Sequence, residues 1–376
     1  MKKKVLILAR PDHSLGIHKN ISNQTELHYA TFNVFRSKGI LSNVFKRAKV
    51  IDGNNWINLH LLTLYNQFCR FAKKININLF KYEDSVASKI CLLYLNEVNY
   101  DVVHYWPVYF TNYVRKNRRD KCKYVAEVYE CNYLFTREIY KNAYEENGFS
   151  YNYLEGKADR HKSLNEADVI LVPSEFVKKS YESYVTSKIE VVDFGLLGRT
   201  INNTDNTFNG SKLNLLFIGN ASIEKGFELL VKASKKNANI TITSIGAISK
   251  EIAKLDCNSM INYLGKKNHR SVLELVQQYD AVILPSYSDA FSMAIIEGLC
   301  AGKPVIVSSN CGNSDIIKQW KLGAVFDTGD LGDMMVAISK VAENYSKFRD
   351  NIIAYQHYEN INPYALRIEN FYSNLL

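Results

Sequence analysis

Two carboxylates eight positions apart, Asp289 and Glu297, lie in the stretch Pro285 to Ile306, PSYSDAFSMAIIEGLCAGKPVI. The run Asp280-Ala-Val-Ile-Leu284 ahead of it reads as a buried strand, and the residues after the loop as a short helix leading to another strand. A helix beginning near Ser292 carries Glu297 in its second turn. Side chains there tilt back toward the helix N-terminus, so the carboxylate reaches the mouth of the loop. The amides of Ala290, Phe291, Ser292 and Met293 then stand at the positive end of the helix dipole, where an anion is held. Such a cradle beside a carboxylate able to grip two vicinal hydroxyls suits a sugar nucleotide, with diphosphate on the amides and ribose on Glu297.

The elements that must position this loop occur twice. Val5–Ala9 and Leu213–Gly219 are opening apolar strands, and Val-Ile-Leu-Val-Pro173-Ser174 is echoed 112 residues later by Val-Ile-Leu-Pro285-Ser286. At 376 residues a single core is not expected. Two similar doubly wound α/β domains follow from the echo. Residues 199–212, rich in Asn, read as the linker. The division is 1–198 with a C-terminal helix of about 360–376, then the linker, then 213–359.

The pattern P-S-x-x-[DE]-x-F-x-x-x-x-x-E-G-x-x-A-G-K-P-V-I resembles the E-x7-E signature of family 4 retaining glycosyltransferases. The resemblance implies the GT-B fold, two Rossmann-like domains facing a central cleft, with the donor in the second domain and the acceptor in the first. In that family the second acid binds the nucleotide ribose and the first lies against the donor sugar; here Asp289 replaces the first Glu. Phe217-Ile-Gly219-Asn220 and Glu224-Lys225-Gly226 resemble a second family element. By that resemblance Lys225 ion-pairs the diphosphate and Gly219 admits it to the backbone, while Asn220 stands where the family places an Arg. Leu264, in Asn262–Lys266, falls on the base-binding wall, and Ser286, Ala290, Phe291, Ser292 and Met293 complete the donor side. In the first half, Tyr100-Asp-Val-Val-His104 resembles a family strand end. His13, Gly16 and His18 occupy the loop where relatives carry a Gly-Gly pair near the acceptor. Relatives place a His where Tyr129 stands; Tyr129, Glu130 and His104 are all candidates to replace it.

The implied activity is a metal-independent hexosyl transfer with retention from a nucleotide-diphosphate sugar, with no other cofactor. The seven scattered cysteines include no C-x-x-C pair, which points to reduced thiols in the cytoplasm and away from metal ligation. The N-terminal apolar run stops at Arg10-Pro-Asp-His, too soon for a signal peptide. No stretch of 18 apolar residues appears, so no membrane span is expected.

The net charge of +9 lies entirely in residues 1–200, with 30 Lys and Arg against 21 Asp and Glu; the remainder holds 17 of each. The first half therefore faces something anionic. The basic run Arg115–Lys123 lacks the aromatic interleaving of a nucleic-acid site. Leu61, Leu64, Tyr65, Phe68 and Phe71/Ala72 fall at helical spacing, with Arg70, Lys73 and Lys74 at the end. Two readings stay open there, a core helix with a solvated basic end and an amphipathic helix on an anionic membrane. The charge suits a lipid-diphosphate-linked saccharide at the inner face of the plasma membrane, in cell-surface polysaccharide assembly. The departures at Asp289, Asn220, Tyr129 and Gly16 keep a second class open, a catalytically silent GT-B partner of an active transferase. A sugar-nucleotide epimerase would need an acid/base pair facing the sugar, and none stands out.

Overall fold

A computed structural model of the chain describes residues 3–8, 25–31, 34–35, 49–50, 56–75, 77, 79, 82–95, 99–151, 160–196, 208, 210, 212–256 and 260–376. The first half contains β1 (Lys3–Leu8), β2 (Thr25–Thr31), the small pair β3 (Val34–Phe35) and β4 (Lys49–Val50), β5 (Trp56–Asn58), β6 (Val102–Tyr105), β7 (Lys123–Glu127), β8 (Val169–Val172) and β9 (Lys188–Val191). Its described helices are α1 (His60–Lys74), α2 (Glu83–Leu95), α3 (Pro107–Lys116), α4 (Tyr133–Glu146) and α5 (Glu175–Tyr181). Seven strands form one parallel sheet in the order β5-β2-β1-β6-β7-β8-β9.

The second half contributes β10 (Leu213–Ile218), β11 (Ile240–Ile245), β12 (Ile261–Gly265), β13 (Ala281–Leu284), β14 (Val305–Ser308) and β15 (Gly323–Phe326). Its helices are α6 (Phe227–Lys236), α7 (Lys250–Leu255), α8 (His269–Val276), α9 (Met293–Cys300), α10 (Ser314–Trp320), α11 (Leu331–Glu343), α12 (Tyr345–Ile361) and α13 (Tyr364–Leu375). The strands form a six-stranded parallel sheet, β12-β11-β10-β13-β14-β15.

Strands covered on both faces read as unbroken apolar runs, which is why β6, β8, β13 and β14 are buried at every position. In each sheet the strand order reverses once, between β1 and β6 and between β10 and β13. Open α/β sheets bind ligands at that reversal, outside the carboxyl ends of the strands. The segment after β1, with His13, Gly16 and His18, lies outside the described residues. The segments after β10 and β13 carry the second-half candidates.

The chain returns at its end to its beginning. Tyr364, Ile368 and Tyr372 of α13 pack with Val5, Ile7, Val102, Val125 and Leu171 on one face of the first sheet.

β7 stops at Glu127, although the Val128 amide still donates to the Leu171 carbonyl at 2.9 Å. The buried carboxylate of Glu127, held by Tyr129 and Tyr364, anchors the chain where it leaves the sheet. Of the two readings left open for α1, the core reading fails for most of the apolar stripe, of which only Ala72 is fully buried. Leu62, Thr63, Asn66, Cys69 and Ala72 go inside, with the Asn66 side-chain amide donating to Glu83 at the head of α2, and Leu61, Leu64, Phe68 and Phe71 face outward.

Candidate donor site at the strand-order reversal

Two glycines let the second-half loops close on each other. Gly226 holds φ 63, and a Cβ there would stand 1.9 Å from the Pro285 carbonyl oxygen. Only glycine lets the turn carrying Lys225 press against the end of β13. Gly298, next to Glu297, would put a Cβ 2.8 Å from Val282 Cγ2, so its lack of a side chain seats α9 directly on β13.

The result is an ion pair: Lys225 Nζ stands 2.6 Å from Asp289 Oδ2. Burial alone would lower the pKa of the Lys225 ammonium. The Asp289 carboxylate outweighs burial and holds the pKa above its ordinary value, so the cation is permanent. Asp289 is fixed in turn by its backbone, its amide donating to Asn310 (3.1 Å) and its carbonyl accepting from Gly312 (2.8 Å).

α9 begins where the sequence places it, with Ser292 at the N-cap and Glu297 in the second turn. Glu297 is buried, and His269 Nδ1, from the start of α8, lies 3.2 Å from its Oε1. One of the four amides expected in the cradle is engaged within the chain. The Ser292 amide already donates to Asn313 Oδ1 at 2.6 Å, and Asn313 is itself buried. Ala290, Phe291 and Met293 lie beside it, ahead of and at the first turn of α9.

The other donor-side candidates also make contacts within the second half. The Gly219 amide donates to the Ile245 carbonyl (2.9 Å), which commits it to the sheet. Asn220 Oδ1 accepts from the Ala247 amide (3.4 Å), tying the loops after β10 and β11 together. Ser286 is wholly buried and its carbonyl accepts from the Ser308 hydroxyl, which ties the loop to the end of β14. Leu264, half-buried, packs on the second-half core.

Beneath the same loop the Tyr287 hydroxyl donates to Glu228 Oε1 at 2.9 Å. Burial raises the Glu228 pKa to about 7. The Tyr287 amide donates to the Glu224 carbonyl (3.0 Å), so this buried pair lies one residue from Lys225.

The two halves meet across this loop. Tyr140 and Tyr144 of α4 donate to the Ser288 carbonyl (3.3 Å) and to Glu224 Oε1 (2.7 Å), and the Ser174 hydroxyl donates to the Ala290 carbonyl (3.0 Å). Phe291 meets Phe194 edge to face at 5.2 Å, and Phe194 also contacts Tyr129 and Tyr364.

On the first-half side His104 is buried. Its Nδ1 is 2.6 Å from the Tyr372 hydroxyl and its Nε2 is 3.1 Å from Glu127 Oε2. That geometry takes His104 out of the cleft and makes it part of the seat for α13. Tyr129, half-buried, turns its hydroxyl to Glu127 (2.5 Å), as Tyr364 does (2.5 Å). Burial and the Glu127 charge push both phenols well above their ordinary pKa, so both stay protonated and donate. Burial works to raise the Glu127 pKa, and His104 and the two phenols reverse it, holding Glu127 as a carboxylate. Of the three candidates to replace the family's His, only Glu130 is exposed. It borders a cavity of about 60 Å³ also walled by Trp106, Tyr129 and Tyr181, which has room for water but not for a sugar.

Residue type and spacing give no role to Glu224, although it lies in the Glu224-Lys225-Gly226 element, nor to His269, Asn313 or Glu127, because their partners come from elsewhere in the chain and leave no local mark.

With this geometry in view, the chain has the GT-B architecture. Along essentially its full length it superposes on sucrose-phosphate synthase from Thermosynechococcus elongatus (TM-score 0.64, 13% identity, 100% of this chain and 99% of that one). It does so equally on a UDP-forming trehalose-phosphate synthase from Burkholderia xenovorans (TM-score 0.60, 10% identity, 100% of both chains). Anabaena HepE, solved in complex with UDP and glucose, aligns at TM-score 0.56 and 12% identity over 99% of each chain.

Residues 199–357 match the family model for glycosyl transferases group 1, which spans the ion pair and Glu297. An uncharacterized glycosyltransferase of Methanocaldococcus jannaschii is 23% identical over 198 residues, 51% of this chain and 55% of that protein. A second from the same organism is 31% identical over 113 residues, 28% of this chain and 29% of the other. The 2-deoxystreptamine N-acetyl-D-glucosaminyltransferase of Niallia circulans is 25% identical over 145 residues, 36% of this chain and 37% of that enzyme. The chain thus spans about half the length, or less, of these curated relatives.

Proposed function

We propose that the protein is a retaining glycosyltransferase that moves a hexose from a UDP- or GDP-sugar to a saccharide or lipid-linked saccharide in cell-surface polysaccharide assembly. The observation that carries this reading is the Lys225–Asp289 pair at 2.6 Å, set beside the N-terminus of a helix whose second turn holds Glu297. The group 1 match over that half supports it.

In this reading the donor diphosphate draws Lys225 away from Asp289 and adds the amides of Ala290, Phe291 and Met293. Glu297 exchanges His269 for the two ribose hydroxyls. Asp289, released, lies against the sugar. As the bond from the anomeric carbon to phosphate oxygen breaks and the acceptor oxygen bonds to that carbon, negative charge grows on the diphosphate. Lys225 and the amides stabilise it where it forms. The acceptor's proton passes to the leaving phosphate, so retention needs neither a metal nor a protein base.

The test is binding and slow hydrolysis of a panel of UDP-, GDP- and ADP-sugars, with Glu297→Ala as control. One sugar nucleotide binding and turning over, with both lost in the variant, is the expected result. If the wild type binds none of them, the reading fails in favour of a silent partner protein.

A further inference from the structure

The outward face of α1 is the largest departure from ordinary burial in the first half. Leu61 (45% exposed), Leu64 (57%), Phe68 (58%), Phe71 (62%) and Ile75 (58%) all lie open, while the polar Thr63 and Asn66 are inside. At about 100° per residue these five fall within roughly 80° of arc, nearly opposite the buried Leu62, Asn66 and Cys69. Ile77 and Tyr82 extend the exposed apolar surface beyond the helix.

The electrostatics of this segment are one-sided. From Gly53 to Tyr82 the sequence contains no acidic residue and four cations, Arg70, Lys73, Lys74 and Lys81. Lys73 and Lys74 are exposed in the last turn of the helix.

We infer that α1 is a docking surface for an anionic lipid bilayer, its Leu/Phe/Ile stripe entering the headgroup boundary and its cations meeting the phosphates. A helix of 15 residues is about 22 Å long, too short to span the hydrocarbon and suited to lying in the interface plane. Charge selects the occupant: every Asp, Glu, Lys or Arg in residues 53–82 is a cation, and three of them, Arg70, Lys73 and Lys74, lie in the second half of α1, which fits a surface of fixed negative charge. The inference does not depend on the transferase reading, because it concerns adsorption alone.

The full chain is sedimented with phosphatidylcholine vesicles, with and without phosphatidylglycerol. Binding is expected only to the anionic vesicles and is expected to weaken as the Debye length shrinks from about 10 Å at 0.1 M salt to about 3 Å at 1 M. The double variant Lys73→Gln/Lys74→Gln is expected to lose on the order of 30-fold in affinity. The triple variant Leu64→Ser/Phe68→Ser/Phe71→Ser is expected to lose on the order of 100-fold or more. All these side chains are exposed or half-exposed, so both variants keep the wild-type melting temperature. Failure of the wild type to sediment, or unchanged binding by both variants, overturns the inference. So does a wild-type dimer in gel filtration that the serine variant splits while vesicles bind neither form, since a second copy then covers the face.

Discussion

Glu228 is a buried acid under the loop that carries Asp289, and its replacement by Gln tests how that loop is held. Burial lifts its pKa from 4.5 to about 7 in the folded chain. The folded state therefore holds this proton more tightly than the unfolded one. The stability this confers is fully present below about pH 4.5, falls as pH rises and is gone above about pH 7. A difference of about 2.5 pH units corresponds to about 3 kcal/mol. Glu228→Gln mimics the protonated acid and keeps an acceptor for the Tyr287 hydroxyl. Thermal melts at pH 4 and pH 8 read the effect, with the variant matching wild type at pH 4 and melting roughly 6–12 °C higher at pH 8, at about 2–4 °C per kcal/mol for a domain of this size. Identical pH dependence in the two proteins would refute the argument, because it would mean that Glu228 is solvated or ionised in the folded state.

Three further outcomes are expected. Lys225→Ala should lower kcat for sugar transfer by about 10²–10³ while weakening nucleotide binding less, as steady-state kinetics beside calorimetric titration will show. Gly226→Ala should destabilise the chain by at least about 2 kcal/mol, from the left-handed backbone cost of about 1–2 kcal/mol plus the clash with Pro285; Gly148→Ala, with φ 77 but open space, should show only the backbone cost in the same melts. Glu127→Ala leaves Tyr129 and Tyr364 without their shared acceptor and His104 without the carboxylate it faces, and should cost about 3–5 kcal/mol; hydrogen exchange should then accelerate in residues 364–375 before it does in the second sheet.

The second half of the chain was the more legible. Its apolar runs are strands buried on both faces, and Pro285, Phe291, Glu297 and Gly298 sit in a loop and helix whose spacing alone sets their relative positions. The ion pair between Lys225 and Asp289 spans 64 residues, and it rests on the close approach at Gly226 and on the Asp289 backbone bonds to Asn310 and Gly312, none of which shows in local spacing. The first half misled where burial and polarity diverge. His104 and Tyr129 look available for chemistry in a strand end, yet a buried Glu127 and two tyrosines from the last helix engage them. The stripe of α1 shows the opposite failure. Periodicity locates an apolar face, but it does not say whether that face meets a core or the outside.

The seat of α13 has a consequence for the order in which the protein can be completed during synthesis. Val5, Ile7, Val102, Val125 and Leu171 are all made before the second half exists, yet the side chains that cover them, Tyr364, Ile368 and Tyr372, emerge after it. A chain growing from its N-terminus can pair the seven strands of the first sheet early, but the apolar patch around Val5, Ile7, Val102, Val125 and Leu171 lacks its α13 cover until the other domain has been built. The buried Glu127 carboxylate waits as well, because one of its phenolic donors, Tyr364, arrives in the same late segment. The first domain is thus begun first and finished last, and the interval between is when that patch is open to chaperones or to aggregation.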